Sequence, residues 1–226
     1  MKDGDVIEQR WKGGAILDDE RFPYVVIDNW YTEEEEKRVW GELNFIGQIP
    51  LDKTERAENT IVAKKDNRPL SQAYRYYIED YYKDRRISQI LNCGYKGRSK
   101  EFHDIMKPCL PYYRSFASTN NDSTLISYYE ENDNYEPHYD SFAWTMLIWM
   151  VREPRHFDGG NFMLNEAGHE IKLKNNRMVM FPSCYLHSVT PIKFHTPPTK
   201  NGMGRYCITH FYFSTPQGNP EPKKNA

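Results

Sequence analysis

Hydrophobic periodicity divides the chain into a helical first half and a stranded second half. Phe22-Pro23-Tyr24-Val25-Val26-Ile27-Asp28 is a short apolar run bounded by polar residues, which predicts a strand. Thr32 followed by Glu33 to Glu36 predicts a capped helix start reaching about Leu43. The threonine hydroxyl can accept an orphaned amide hydrogen, and acidic residues suit the positive end of the helix dipole. Tyr74, Tyr77, Ile78, Tyr81 and Tyr82 recur at three- and four-residue intervals, so a second helix is expected over about 71–91, closing at Asn92-Cys93-Gly94. This tyrosine stripe reads as core packing. A third, short helix is expected from Lys100 to Met106, stopped by Pro108 and Pro111.

After Asn120 the texture changes to short strands near 124–130, 136–141, 143–151, 161–165, 169–174, 177–182, 187–193 and 205–214. Turn chemistry such as Asp158-Gly159-Gly160 and Asn175-Asn176 separates them. Eight such strands predict a mainly β (α+β) fold, a double-stranded β-helix or cupin-like jelly roll with supporting amino-terminal helices. Ala143 to Val151 is apolar at successive positions, so both faces of that strand must be covered, and the helices are the natural outer cover. The expected organisation is an amino-terminal segment 1–21 and a single domain 22–216. Within it, helical support spans about 30–110 and the jelly-roll core about 122–214. The Pro-, Lys- and Asn-rich tail 217–226 is expected to be disordered.

Composition narrows the function classes. The 226 residues include 17 Tyr, 11 Phe and 5 Trp, enough apolar surface for one substantial core although only 38% of the chain is hydrophobic. A formal net charge of -2 argues against a nucleic-acid or anionic-membrane partner. The short basic runs at Lys64-Lys65, Lys83-Asp84-Arg85-Arg86 and Lys96-Gly97-Arg98-Ser99-Lys100 read as solvated faces. Cys93, Cys109, Cys184 and Cys207 show no Cys-x-x-Cys spacing and are expected to be reduced thiols. Neither a signal core nor a membrane-length apolar run is evident, so a soluble cytoplasmic protein is expected.

The candidate chemistry lies in Glu136-Pro137-His138-Tyr139-Asp140 and around His187. Residues two apart on a strand share a face, so His138 and Asp140 can approach one ion together. A histidine from another strand completes a two-histidine, one-carboxylate face, the ligand set of non-heme Fe(II) oxygenases. An isolated His-x-Asp is weak information in a chain with seven histidines, and its context decides. On the strand count, His138 and Asp140 lie on the second strand and His187 on the seventh, neighbours in a jelly roll, while Arg205 opens the eighth. His103, His156, His169 and His195 read as surface histidines, His210 alternates away from Arg205, and Cys184 and Cys207 read as small core residues.

The motifs Tyr135-x-Pro137-His138-Tyr139-Asp140, Phe157-Asp158-Gly159-Gly160-Asn161-Phe162, Met178-Val179-Met180-Phe181-Pro182-Ser183, His187-Ser188-Val189-Thr190-Pro191 and Arg205-Tyr206-Cys207-Ile208-Thr209 follow one another in order. In these the chain resembles the 2-oxoglutarate and Fe(II)-dependent dioxygenases, nearest to the prolyl 4-hydroxylase-like branch. The resemblance implies that His138, Asp140 and His187 bind Fe(II) and that Arg205 holds the distal carboxylate of 2-oxoglutarate. A guanidinium fork matches a carboxylate bidentately. Thr209 would share Arg205's face, either Tyr128 or Tyr129 would meet the co-substrate, and Thr145, Leu147 and Trp149 would line the interior. O2 is the second co-substrate, and ascorbate an accessory reductant.

Two absences bear on the substrate. Nucleic-acid demethylases of the superfamily carry a second arginine at the position of Phe211, and many small-molecule oxygenases a serine at that of Cys207. The carboxylate of Asp140 favours hydroxylation over halogenation. The expectation is hydroxylation of a prolyl residue in a peptide or protein; the alternatives are a small-molecule hydroxylase with the same cofactors and a non-catalytic metal-binding jelly-roll module. Oligomeric state is left open. One departure is the long spacer Lys193 to Gly204 between His187 and Arg205, a candidate cover for the substrate entrance.

Overall fold

The computed structural model describes residues 22–47, 62–109, 111–198 and 202–216. The expectations for the first 21 residues, the tail and the middle of the spacer lie outside these.

All eight expected strands form. β1 (Val25–Asp28) precedes helix α1 (Glu33–Ile46), and three short strands follow: β2 (Lys64–Lys65), β3 (Arg68–Pro69) and β4 (Tyr74–Tyr77). Helices α2 (Gln89–Gly94), α3 (Lys100–Met106) and α4 (Tyr112–Ala117) come next. The remaining strands are β5 (Asn121–Tyr129), β6 (Tyr135–His138), β7 (Trp144–Met150), β8 (Phe157–Asp158), β9 (Phe162–Leu164), β10 (His169–Ile171), β11 (Arg177–Pro182), β12 (His187–Val189), β13 (Lys193–Phe194) and β14 (Arg205–Phe213). A six-stranded sheet in the order β1-β11-β7-β14-β5-β4 faces a four-stranded sheet β10-β9-β12-β6. The central ladder is antiparallel throughout, with Thr209 opposite Leu125 on one side and Leu147 on the other.

The period of two on β7 sorts its side chains into two cores. Trp144, Met146, Ile148 and Met150 pack outward with Val39 and Leu43 of α1, Ile90 and Leu91 of α2 and Phe102 of α3. Leu147 and Trp149 pack inward with Phe162, Leu164 and Val189 of the smaller sheet. Helices therefore cover the outer face of the large sheet, as the doubly apolar strand requires. α1 opens with the expected cap: the Thr32 hydroxyl accepts from the Glu35 amide, and the Glu35 carboxylate accepts from the Thr32 amide. Farther along α1, the buried Glu42 accepts from the Ser88 hydroxyl and the Ile90 amide, tying α1 to the start of α2. Among the described residues no helix is long and apolar enough to cross a membrane.

The helix expected over 71–91 does not form. Residues 74–77 add β4 to the edge of β5, with Tyr76 opposite Ile126 and Tyr74 opposite Tyr128, and only Gln89–Gly94 is α-helical. Tyrosine suits a pleated surface, and the Ser88 hydroxyl caps the Leu91 amide, so the helix begins after the tyrosines. The helix α4 also forms beyond Pro111, which serves as its amino-terminal flank. The basic run at 96–98 is not solvated. Lys96 binds the Trp30 carbonyl and the Glu35 carboxylate, and Arg98 binds Thr119 and the Asn121 carbonyl. Cys184 is exposed, a correction to its expected core position, whereas Cys207 is buried; both are free thiols.

Candidate functional site

The side chains of interest converge between the two sheets, in a cavity open to solvent. His138 ends β6 and lies directly opposite His187, the first residue of β12. Asp140 follows just beyond the end of β6, not on the strand as alternation suggests, and its amide donates to the Ser183 carbonyl. That turn still carries its carboxylate to the histidines: Oδ1 is 3.8 Å from His138 Nε2 and Oδ2 is 3.5 Å from His187 Nε2. The three ligand atoms lie within 4.8 Å of one another, and this is the only such group of three among the described residues.

Backbone carbonyls orient both rings. His138 Nδ1 donates to the Glu136 carbonyl and His187 Nδ1 to the Tyr185 carbonyl, each at 2.8 Å. A carbonyl only accepts, so Nδ1 carries the hydrogen and the Nε2 lone pair points at Asp140. Burial, then the neighbouring His187, pushes His138 down to about 3, which keeps its imidazole unprotonated at neutral pH. Tyr135 stacks on His138 with centroids 3.5 Å apart, and burial raises its phenol to about 12. The Thr145 hydroxyl donates to Asp140 Oδ2 at 2.7 Å and shares a 2.8 Å hydrogen bond with Ser183. Two oriented imidazoles and one braced carboxylate on one side of an ion suit Fe(II) with coordination positions open.

Arg205 occupies the other wall. It is fully buried, and its Nε, Nη1 and Nη2 have no hydrogen-bond partner among the described residues. Its guanidinium carbon lies 4.8 Å from the Tyr129 ring and 5.5 Å from the Trp149 ring. Gly160, at φ 68°, lets the chain pass over the arginine stem; a Cβ there would stand 3.0 Å from Arg205 Cδ. A buried, unpaired guanidinium is costly and makes a strong receptor for a carboxylate.

Cys207, Thr209 and Phe211 continue along β14 on Arg205's face and also line the cavity. The register separates the two tyrosines. Tyr129 lines the cavity, whereas the Tyr128 hydroxyl turns away to accept from the Gly202 and Gly204 amides. Leu147 lines the cavity, Thr145 braces Asp140, and Trp149 stands behind Arg205 without lining it. His210 faces the helices, bonded to the Thr124 hydroxyl. Of the spacer Lys193 to Gly204, Lys193 and Phe194 pair with β8, and none of its described residues lines the cavity.

Among the lining residues that the sequence did not single out, Tyr135 and Arg75 bear on the chemistry. Tyr135 lay within a quoted motif, but nothing marked its ring as a partner for His138. Arg75 was hidden by the helical reading of the tyrosines; strand alternation through Tyr74-Arg75-Tyr76-Tyr77 would have turned it inward.

The profile of the 2OG-Fe(II) oxygenase superfamily matches residues 124–213. No curated protein sequence matches significantly. Solved structures do. A prolyl-4-hydroxylase from Pseudomonas putida is similar with a TM-score of 0.56 at 13% identity, covering 86% of this chain and 94% of that one. A Phytophthora capsici prolyl 4-hydroxylase gives 0.53 at 17% identity, covering 91% and 68%. A prolyl hydroxylase from Trichoplax adhaerens, in complex with a hypoxia inducible factor oxygen degradation domain peptide fragment, gives 0.52 at 14% identity, covering 84% and 83%.

Proposed function

We propose that the chain, whose residues 124–213 match the 2OG-Fe(II) oxygenase superfamily, is a dioxygenase that hydroxylates a prolyl residue in a peptide or protein. With Fe(II), 2-oxoglutarate and O2 bound, the site supplies oxidative decarboxylation: one oxygen atom enters succinate as CO2 leaves, and the other enters a substrate C–H bond.

The observation that carries this reading is the fully buried, unpartnered guanidinium of Arg205 facing the same cavity as His138, Asp140 and His187. The donor set fits Fe(II), and the guanidinium fits the distal carboxylate of 2-oxoglutarate. In this reading His138 and His187 offer their Nε2 lone pairs, Asp140 supplies the anionic ligand, and the Thr145 hydroxyl fixes the carboxylate's rotation. Tyr129 accepts from Arg75, so its own hydroxyl hydrogen is free to join Arg205 on the co-substrate. Leu125, Leu147, Phe162 and Val189 keep the interior apolar and strengthen each of these electrostatic contacts.

The peptidyl substrate is supported by the shared fold with prolyl hydroxylases, one of which holds a peptide fragment. Phe211 and Cys207, in the places of the demethylase arginine and the small-molecule oxygenase serine, support it further. Succinate formation should require Fe(II) and rise when a proline-containing peptide is added, with one oxygen gained on proline by mass spectrometry. Stimulation by free amino acids or other metabolites alone would rule out the peptidyl substrate.

A further inference from the structure

A second guanidinium faces the same cavity. Arg75 on β4 is 2% exposed, and its Nη2 donates to the Ser71 hydroxyl at 2.7 Å and the Tyr129 hydroxyl at 3.2 Å. Its Nη1 is buried and has no hydrogen-bond partner among the described residues. The guanidinium carbon lies 4.4 Å from the Tyr135 ring, and that ring stacks on His138, so Arg75 stands beside the metal-ligand end of the cavity. Hydroxyls and aromatic faces position the cation without neutralising it.

Charge balance makes this consequential. The charged residues among the described lining are Arg75, Arg205 and Asp140. Two guanidiniums and a divalent cation set against one carboxylate leave three positive charges, and dianionic 2-oxoglutarate removes two. One positive charge remains in a cavity with apolar walls, where an unbalanced charge is costly. The three free nitrogens of Arg205 already suffice for the distal carboxylate of the co-substrate.

We infer that the substrate itself supplies the missing charge, as a carboxylate close to the hydroxylated carbon that is received by Nη1 of Arg75. The inference rests on the oxygenase reading of the same site. Two sources share this chemistry: an acidic side chain beside the target residue in a peptide, and the α-carboxylate of a chain-terminal or free residue.

Calorimetry on the protein loaded with Mn(II) and 2-oxoglutarate, without O2, tests it with matched ligands. The pairs are peptides with proline flanked by Glu or Gln, peptides ending in proline as acid or amide, free proline and prolinamide, and acid–amide pairs of other amino acids. The charged member of a pair should bind at least roughly tenfold tighter, the scale of one charge-assisted hydrogen bond. Arg75→Gln should erase that preference, while 2-oxoglutarate affinity falls by less than the roughly tenfold expected of Tyr129→Phe because a glutamine amide can still donate to the Tyr129 hydroxyl, and Arg75→Lys should restore part of the preference. Equal binding of both members to the unaltered protein overturns the inference. So does an Arg75→Gln protein that loses 2-oxoglutarate but keeps the preference, since Arg75 would then hold the co-substrate. Should Arg75→Gln fail to fold, the unaltered protein and Arg75→Lys decide. A preference confined to free acids leaves the inference standing and removes the prolyl-peptide reading; proline peptides bound without charge preference do the reverse.

Discussion

Thr145 donates its hydroxyl to Oδ2 of Asp140 at 2.7 Å, from the central strand β7 to the turn after β6. The same hydroxyl meets Ser183 at 2.8 Å, so the buried pair Thr145 and Ser183 sets the angle at which the half-buried carboxylate faces His138 and His187. Thr145→Val keeps the shape and removes the donor. Fe(II) affinity should fall about 10- to 100-fold, the usual effect of losing a hydrogen bond to a metal ligand. Metal titration by calorimetry checks it, and 2-oxoglutarate affinity at saturating metal should be unchanged.

Arg205 should separate function from stability. Replacing a buried, unpartnered charge with an apolar side chain of similar length relieves a desolvation cost, so Arg205→Met should stabilise the cofactor-free protein by about 1–3 kcal/mol. Calorimetric melting should show a rise of roughly 2–10 °C. The same variant should bind 2-oxoglutarate more than about 100-fold more weakly, because a buried charge pair loses one partner.

Tyr128 and Tyr129 are adjacent in sequence and opposite in role. Tyr129→Phe should raise the KM for 2-oxoglutarate by about tenfold, the worth of one hydrogen bond to a charged group. Tyr128→Phe strands the Gly202 and Gly204 amides and should cost about 1–3 kcal/mol of stability with that KM unchanged. Steady-state kinetics beside denaturant melts distinguish the two.

His210 sets an acid limit on the fold. Complete burial pushes its imidazole down to about 4, against about 6.5 in an unfolded chain. With the folded value depressed, the stability contribution is whole above pH 6.5 and is lost as pH falls, because the unfolded chain takes up the proton first. The loss should reach about 2 kcal/mol by pH 5 and about 3 kcal/mol near pH 4. Urea melts across this range, compared with His210→Gln, should show that increment absent from the variant.

Much of the site was legible because its residues sit on strands whose alternation sequence alone reveals. The spacing of Arg205 and Thr209, the outward phase of His210 and the meeting of His138 with His187 follow from strand order and a period of two. The choice between Tyr128 and Tyr129 was open because phase along β5 is set by its register with β14, a contact between residues far apart in sequence. Arg75 was missed for a related reason. Tyrosines at three- and four-residue spacing imitate a helical stripe, and only the free edge of β5 turns the segment into a strand. Asp140 reached its place through a turn whose geometry depends on Ser183, which no local pattern encodes.

His138 and His187, the proposed metal ligands, belong to the small sheet and Arg205 to the large one. A co-substrate held at both ends, as proposed, would therefore be a strut between two layers, with the sheet-to-sheet gap a gauge of its length. Oxo acids one carbon shorter should leave one end unheld, while the fitting acid should cross-brace the sandwich and slow amide hydrogen exchange in β6, β12 and β14 together.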